Sequence, residues 1–135
     1  MQEPRIVYGG GAVEIALTKA IAAKAEEIQG ETQWPFKAIG QALEVIPRIL
    51  VANCGESTIR AITSLKAKHA EGGNDSWGID GMTGTVKDMK DLGVWDPFCV
   101  RMQVYKSAVE TAMMLLRIDD IVSGVKKASD TGDGA

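Results

Sequence analysis

Three consecutive glycines, Gly9, Gly10 and Gly11, limit the conformations open to the start of the chain. They separate a short β-branched segment, "RIVY", from apolar residues that recur at helical spacing between Val13 and Ile28. A hinge or tight turn explains the glycines, because glycine adopts positive φ without steric cost. Close approach of a ligand explains them as well, because free N–H groups at a helix N-terminus attract anions and polar groups. The residues alone leave both explanations open.

The composition excludes several classes of function. The 135 residues are 45% hydrophobic and 24% charged, which is typical of one soluble globular domain. A net charge of −3 argues against a nucleic-acid partner, since such a partner requires a basic surface. No apolar run approaches the ~18 residues of a membrane span, so no membrane partner is predicted. Cys54 and Cys99 form neither a disulfide framework nor a metal-ligand set, which predicts a cytoplasmic chain with reduced thiols.

Four main helices are predicted, and glycine and proline mark most of their ends. The first helix begins at Ala12 and ends near Gly30. The second opens at "TQWPF" and extends to Gly55, with a kink at Pro47, because the proline ring clashes with the carbonyl four residues earlier. The third begins after an N-cap at Ser57.

The second half of the chain mixes helix with short strands. The segment "EGGNDSWGIDGMTGTV" has five glycines and reads as a loop or a hairpin of very short strands. The fourth helix then follows Asp96 as N-cap and Pro97 as first residue, and extends to about Leu116. Arg117–Ser123 is predicted as a terminal β-strand, and "RIVY" could pair with it, because a strand needs partners. The polar tail, residues 124–135, is predicted to be disordered.

Individual polar residues do not assemble a catalytic site. Asp80 lies between glycines and reads as a turn residue that binds its own backbone. His69 is the only histidine, and no serine or cysteine partner can be assigned to it. Asp119 and Asp120 are adjacent in the predicted strand, so their carboxylates would point to opposite faces. Four sulfur-containing residues are predicted to be buried: Cys54, Cys99, Met113 and Met114.

Five stretches of the sequence, taken together in their order, are a more specific signal of a protein family than any single stretch. They are "GGGAVEIAL", "QWPFKAIGQALEVIPRILVANCG", "STIRAITSLKAKH", "WGIDGMTGTVKDMKDLGVWDP" and "YKSAVETAMMLLRIDDIVSG". Together they resemble the C-terminal part of a group II chaperonin subunit, from Arg5 to Gly124. The resemblance implies a mainly α fold, the C-terminal half of a chaperonin equatorial domain, with about four main helices, a short hairpin and a terminal β-strand. Residues 1–8 would then end an intermediate-domain segment, and residues 9–123 would form the equatorial part.

The resemblance also implies a function. Group II chaperonins use ATP to fold cytosolic proteins, and the eukaryotic ring folds actin and tubulin. The implied ligand of this chain is therefore ATP or ADP. The implied partners are other chaperonin subunits in a hetero-oligomeric double ring, and unfolded protein substrates bound through domains that this sequence does not contain.

The resemblance assigns the family's ligand roles to individual positions of this sequence. Gly10 resembles the family's contact to the sugar of the nucleotide. Asp80, Gly81 and Met82 resemble the residues that line the adenine. Asp96 resembles the carboxylate that accepts hydrogen bonds from the ribose hydroxyls.

Other ligand groups of the family have no counterpart in these residues. A Gly-Asp-Gly-Thr-Thr loop holds phosphate and magnesium in the family, and an Asp of the intermediate domain activates water. The resemblance therefore implies no catalytic residue, no metal site and no ATP hydrolysis by this chain alone. The alternative is a stand-alone, non-enzymatic helical interaction protein from a truncated chaperonin gene. Exposure of Ile118, Ile121 and Val122 would favour self-association.

Overall fold

The computed structural model describes residues 4–120. Their elements, in chain order, are β1 (Ile6–Tyr8), α1 (Ala12–Glu27), α2 (Gln33–Leu43), α3 (Val45–Asn53), α4 (Thr58–Ala70), β2 (Trp77–Ile79), β3 (Val86–Asp88), α5 (Met89–Leu92), β4 (Trp95–Pro97) and α6 (Phe98–Leu116). The chain divides into two compact units, residues 1–101 and 102–135. The fold is mainly α, as predicted.

The glycine run ends in the first helix, as the sequence predicts. Gly10 and Gly11 both adopt positive φ, at 63° and 79°, and α1 begins at the next residue. Helix α2 packs closely on α1, because the Thr18 hydroxyl donates to the Gly40 carbonyl at 3.0 Å. Gly40 is buried at this contact, and a Cβ there would lie 3.6 Å from Ile21 Cγ2, an ordinary van der Waals distance.

The predicted kink at Pro47 is a full break between two helices. Helix α2 ends at Leu43, four residues before the proline, and α3 begins at Val45. The position follows from the missing N–H of Pro47, which cannot donate to the carbonyl of Leu43. Gly55 follows α3 with φ of 77°, and Ser57 precedes α4, so these two predicted boundaries are confirmed.

The strands form two antiparallel pairs among the described residues. The glycine-rich segment is a hairpin, in which β2 pairs with β3. The sequence offered Arg117–Ser123 as a possible partner of "RIVY", and part of that segment lies outside the described residues. Strand β1 pairs with β4, and Val7 lies opposite Asp96. This pairing is reinforced by side chains, since the rings of Tyr8 and Trp95 lie 4.8 Å apart between centroids.

The hydrophobic core of the first unit is small and draws on four elements. Its buried residues come from α1, α3, α4 and β2, and they are Ile15, Val51, Leu65 and Ile79. Burial of each such side chain stabilises the fold by about 1.5 to 3 kcal/mol. Because β2 contributes to this core, the hairpin has a fixed position on the helices.

The second unit contains most of α6, which has no buried residue among its nineteen. Met113 and Met114 are exposed, as is Cys99, and Cys54 is only half-buried, so their predicted burial is wrong. For the three residues on α6, the prediction failed because apolar residues occur around the whole helix. Of the predicted terminal strand, residues 117–120 are a turn and an irregular segment. The remainder of that strand, and the tail, lie outside the described residues.

Candidate functional site

The glycine loop, Gly9–Gly11, is tightly packed against the elements that follow it in the chain. The carbonyl of Gly10 accepts from the N–H of Ile79 at 2.7 Å, and the N–H of Gly9 donates to the carbonyl of Val94 at 3.1 Å. A Cβ on Gly10 would lie 2.8 Å from the Ile79 carbonyl oxygen, and one on Gly11 would lie 2.6 Å from the Cβ of Pro47. Packing within the protein therefore requires these glycines, whatever ligand lies beside them.

The loop also forms the N-terminus of α1. The N-cap residue is Gly11, so no side chain caps the helix. In the described part of the chain, the N–H groups of Gly10 and Gly11 have no hydrogen-bond partner. Free N–H groups at a helix N-terminus are suited to a polar or anionic ligand. The structure therefore shows the tight turn, and the ligand-approach explanation stays a prediction that the free N–H groups suit.

Asp96 lies beside the glycine loop, on strand β4. A Cβ on Gly9 would come within 3.2 Å of its Oδ2 atom. The expected N-cap role of Asp96 is wrong, because α6 begins two residues later at Phe98. The Asp96 carboxylate accepts instead from the guanidinium of Arg101, at 3.0 Å from Nε and 2.6 Å from Nη2.

Sequence reasoning missed the other two members of this cluster, Glu14 and Arg101. Glu14 is fully buried in the first turn of α1, and its Oε1 accepts from Arg101 Nη1 at 3.0 Å. Burial of a carboxylate costs several kcal/mol unless it is paired. The signal in the sequence was the presence of Glu14 among apolar residues of the first helical turn, which called for a cation from elsewhere in the chain.

The hairpin places Asp80 at the end of β2, one residue after the hydrogen bond to Gly10. Its carboxylate accepts from Lys87 Nζ at 2.6 Å, from the N–H of Met82 at 2.9 Å and from the Thr83 hydroxyl at 2.8 Å. The Lys87 contact, followed by the other two, lowers the pKa of Asp80 to about 2. The turn role predicted for Asp80 is therefore confirmed, and its carboxylate is committed to the hairpin.

Gly81 and Met82 form the hairpin tip. Met82 is 90% exposed, and a Cβ on Gly81 would have no neighbour within 4 Å. The Gly81 carbonyl accepts from the Cys54 thiol at 3.2 Å, which ties the tip to the end of α3. The tip consequently offers open backbone and one flexible apolar side chain to a ligand.

The five residues singled out by the sequence thus lie on three connected segments of one unit. Gly10 is bonded to β2, which leads directly to Asp80 and the hairpin tip, while Asp96 adjoins Gly9. His69 is separate from them in its contacts: it is buried, and its Nε2 donates to the carbonyl of Trp77 at 2.8 Å. Within residues 4–120, no group of three acidic, histidine or cysteine residues is placed to hold a metal ion.

This architecture defines a class of protein. Residues 1–126 match the model of the TCP-1/cpn60 chaperonin family, and the chain belongs to that family. A solved structure, the open-state monomer of a group II chaperonin from Methanococcoides burtonii, superimposes with a TM-score of 0.80 and 34% sequence identity. The match covers 84% of this chain and 28% of that one. The fold is that of the C-terminal half of a chaperonin equatorial domain, as the sequence resemblance implied.

Among curated proteins, the chain is similar to the T-complex protein 1 subunit gamma. It is 56% identical to the Homo sapiens protein over 128 residues, which are 95% of this chain and 24% of that protein. It is 54% identical to the Schizosaccharomyces pombe protein over 127 residues, or 94% and 24% of the two chains. The chain therefore spans about a quarter of the length of these relatives.

Among the described residues, no helix combines the length and the apolar character that crossing a bilayer requires.

Proposed function

We propose that this chain forms the sugar and base side of the ATP or ADP site of a chaperonin subunit. The subunit assembles with other subunits into a hetero-oligomeric double ring and assists the folding of cytosolic proteins, including actin and tubulin. The observation that carries the proposal is the convergence of the glycine loop, the hairpin and Asp96 beside an uncapped helix N-terminus. Family membership and the similarity to gamma subunits support the ring and the cytoplasmic location.

Each segment has a separate part in the proposed site. The backbone of Gly10 lies against the sugar, where its N–H group is free to donate. The Asp96 carboxylate accepts from the ribose hydroxyls. Asp80, Gly81 and Met82 line the adenine, and the Asp80 carboxylate also forms the turn that holds the other two in place.

The proposed domain boundaries follow the same assignment. Residues 1–8 end an intermediate-domain segment, residues 9–123 belong to the equatorial domain, and residues 124–135 form a tail. The groups that hold phosphate and magnesium, and the acid that activates water, belong to other parts of the subunit. The 135 residues contain no Gly-Asp-Gly-Thr-Thr sequence. When present in the assembled subunit, magnesium would neutralise phosphate charge, while the residues of this chain bind and orient the nucleoside.

Nucleotide titration of the chain, followed by NMR, tests the proposal. ADP should shift the amide signals of Gly10, Gly11 and Met82, with weak affinity because the phosphates lack their partners. Asp96→Asn should weaken binding, whereas Asp91→Asn, at an exposed position on α5, should not. Absence of any shift at millimolar ADP would contradict the proposed site. Magnesium-dependent ATP hydrolysis by the chain alone would contradict the assignment of the catalytic groups to other segments.

A second candidate, a stand-alone helical interaction protein, is favoured by the surface of α6. Large apolar side chains on this helix are exposed, including Val104, Val109, Leu115 and Leu116. Such a surface marks an interaction site or a tendency to aggregate. Sedimentation of the purified chain tests whether this surface is an uncovered interface: concentration-dependent association supports it, and a stable monomer contradicts it.

A further inference from the structure

A partly buried ionic cluster links the start of α1 to the proposed ribose acceptor. Arg101 donates through Nε and Nη2 to one oxygen of Asp96, Oδ2, and through Nη1 to Glu14. The side chains are 24% exposed for Arg101, 33% for Asp96 and 1% for Glu14. One guanidinium therefore joins two carboxylates that lie far apart in the sequence.

The geometry leaves one acceptor of Asp96 for a ligand. Both Arg101 contacts fall on Oδ2, and Oδ1 has no hydrogen-bond partner within the described residues. A carboxylate offers about four lone-pair directions, so Oδ1 retains its capacity to accept hydroxyl protons. The two contacts to Oδ2 restrict rotation of the carboxylate, because the guanidinium is planar and its donors have fixed directions.

Glu14 supplies the anchor for this arrangement. A buried carboxylate without a cation is strongly unfavourable, which favours a conformation in which Arg101 stays against Glu14. A buried ion pair is nevertheless weak evidence for stability, because apolar residues of similar size often serve as well. The arrangement is better explained by its effect on the Asp96 side chain, which it holds in position beside the glycine loop.

We propose that Arg101, anchored by Glu14, is a positioning residue that fixes Asp96 for recognition of a vicinal diol, the 2′- and 3′-hydroxyls of a nucleotide sugar. The inference deepens the proposed function and rests on it. Arg101 acts through Asp96 and does not itself touch the sugar. Its contribution is to present Oδ1 in one orientation before the ligand arrives, which reduces the entropy lost on binding.

The test compares ADP with its 2′,3′-dideoxy analogue, binding to the full chain by NMR titration. A hydrogen bond to a charged acceptor predicts that the wild type prefers ADP about tenfold in Kd. Arg101→Lys keeps a positive charge for Glu14 but lacks the planar fork, so the preference should fall to about threefold or less. Glu14→Gln keeps an oxygen acceptor for Arg101, and it should reduce the preference by a smaller factor.

The matched control is Arg48→Lys. Arg48 donates to Glu44, another nearly buried glutamate, at 3.3 Å, and Lys66 contacts the same carboxylate at 2.6 Å. The substitution therefore perturbs an ion pair of the same kind with no contact to Asp96. It should leave the preference at its wild-type value. A merely structural role for Arg101 would lower thermal stability without changing the ratio of the two Kd values.

Three outcomes distinguish a failure of this inference from a failure of the proposed function. Loss of the ADP preference in Arg101→Lys, with folded spectra and an unchanged Arg48→Lys, supports the inference. A preference that depends on Asp96 but survives Arg101→Lys overturns the inference and leaves the proposed function intact. A wild type that binds neither nucleotide, or binds both equally, overturns the ribose role of Asp96 and with it the role of Arg101.

Discussion

Two turns border the proposed nucleotide site, and they differ in how tightly the rest of the protein packs around them. The glycine loop is enclosed: Gly10 is bonded to β2, and any side chain on Gly10 or Gly11 would collide with neighbouring backbone or with Pro47. The hairpin tip is open, since Gly81 has empty space where a Cβ would stand and Met82 is 90% exposed. Both turns belong to the same unit and are joined through Ile79.

The difference teaches how one site can combine a fixed part with a variable part. The conformation of the glycine loop is defined by close packing, so its N–H groups are already in position for a ligand. The Asp80 carboxylate holds the hairpin tip through hydrogen bonds, while the exposed atoms of the tip have no packing constraints. Substitution should therefore damage the fold at the loop and leave the fold unchanged at the tip.

Gly10→Ala should have the largest effect on stability. Alanine at a φ of 63° costs about 1 to 2 kcal/mol. Overpacking against Ile79 and Met89 should cost about 1 to 3 kcal/mol more. A total loss of about 2 to 5 kcal/mol is expected from these two terms, and urea denaturation measures it through the change in midpoint.

Gly72→Ala is the control for this prediction. Gly72 also has a positive φ, of 79°, but a Cβ there would meet nothing within 4 Å. Its substitution should therefore cost only the backbone term, about 1 to 2 kcal/mol. Equal losses at Gly10 and Gly72 would mean that the close packing of the glycine loop contributes nothing.

Acid should loosen the hairpin through Asp80. The pKa of this carboxyl is lowered to about 2 by its contacts, chiefly with Lys87, whereas an unperturbed Asp has a pKa near 3.9. The ionised form is thus bound more favourably in the folded state. Its stabilising effect is complete above about pH 4 and is lost as the pH falls through about 2. Thermal unfolding of the wild type between pH 6 and pH 2 should follow this window.

The Asp80→Asn variant tests the same pH effect more directly, because it removes the titrating group. The variant should be less stable than the wild type at neutral pH, and the difference should shrink towards zero near pH 2. Amide signals of Met82 and Thr83 should report the change, while those of Gly10 and Gly11 should move less. A difference that stays constant from pH 6 to pH 2 would show that the Asp80 carboxylate does not hold the hairpin.

Local signals in the sequence predicted the helices well, for a physical reason. Glycine and proline act within one helical turn of their own position. Gly55 therefore marks the end of α3, and Pro47 places the break four residues upstream, at Leu43. For the hairpin, the sequence predicts either a loop or two short strands, because short strands depend on what they pack against.

Long-range partners could not be predicted in this way. The pairing of β1 with β4 joins Ile6 to Pro97, and the Arg101 contact to Glu14 spans 87 residues. Asp96 had a sufficient local explanation as an N-cap, which concealed its role in this cluster. The assignment of Gly10 and Asp96 to a nucleotide site came from family resemblance and stays a prediction. The structure does place Asp96 beside the glycine loop that contains Gly10.

Gly81→Ala should have the smallest effect on stability and so completes the series. Gly81 has neither a positive φ nor a neighbour that a Cβ would meet, so the change should shift the free energy of unfolding by less than about 0.5 kcal/mol. The sign should favour the folded state, because alanine restricts the unfolded chain. If the tip lines the adenine, however, the added methyl group should weaken ADP binding while the urea midpoint stays constant. A large loss of stability would mean that the hairpin tip is as constrained as the glycine loop, and the contrast between a fixed and a variable part of the site would fail.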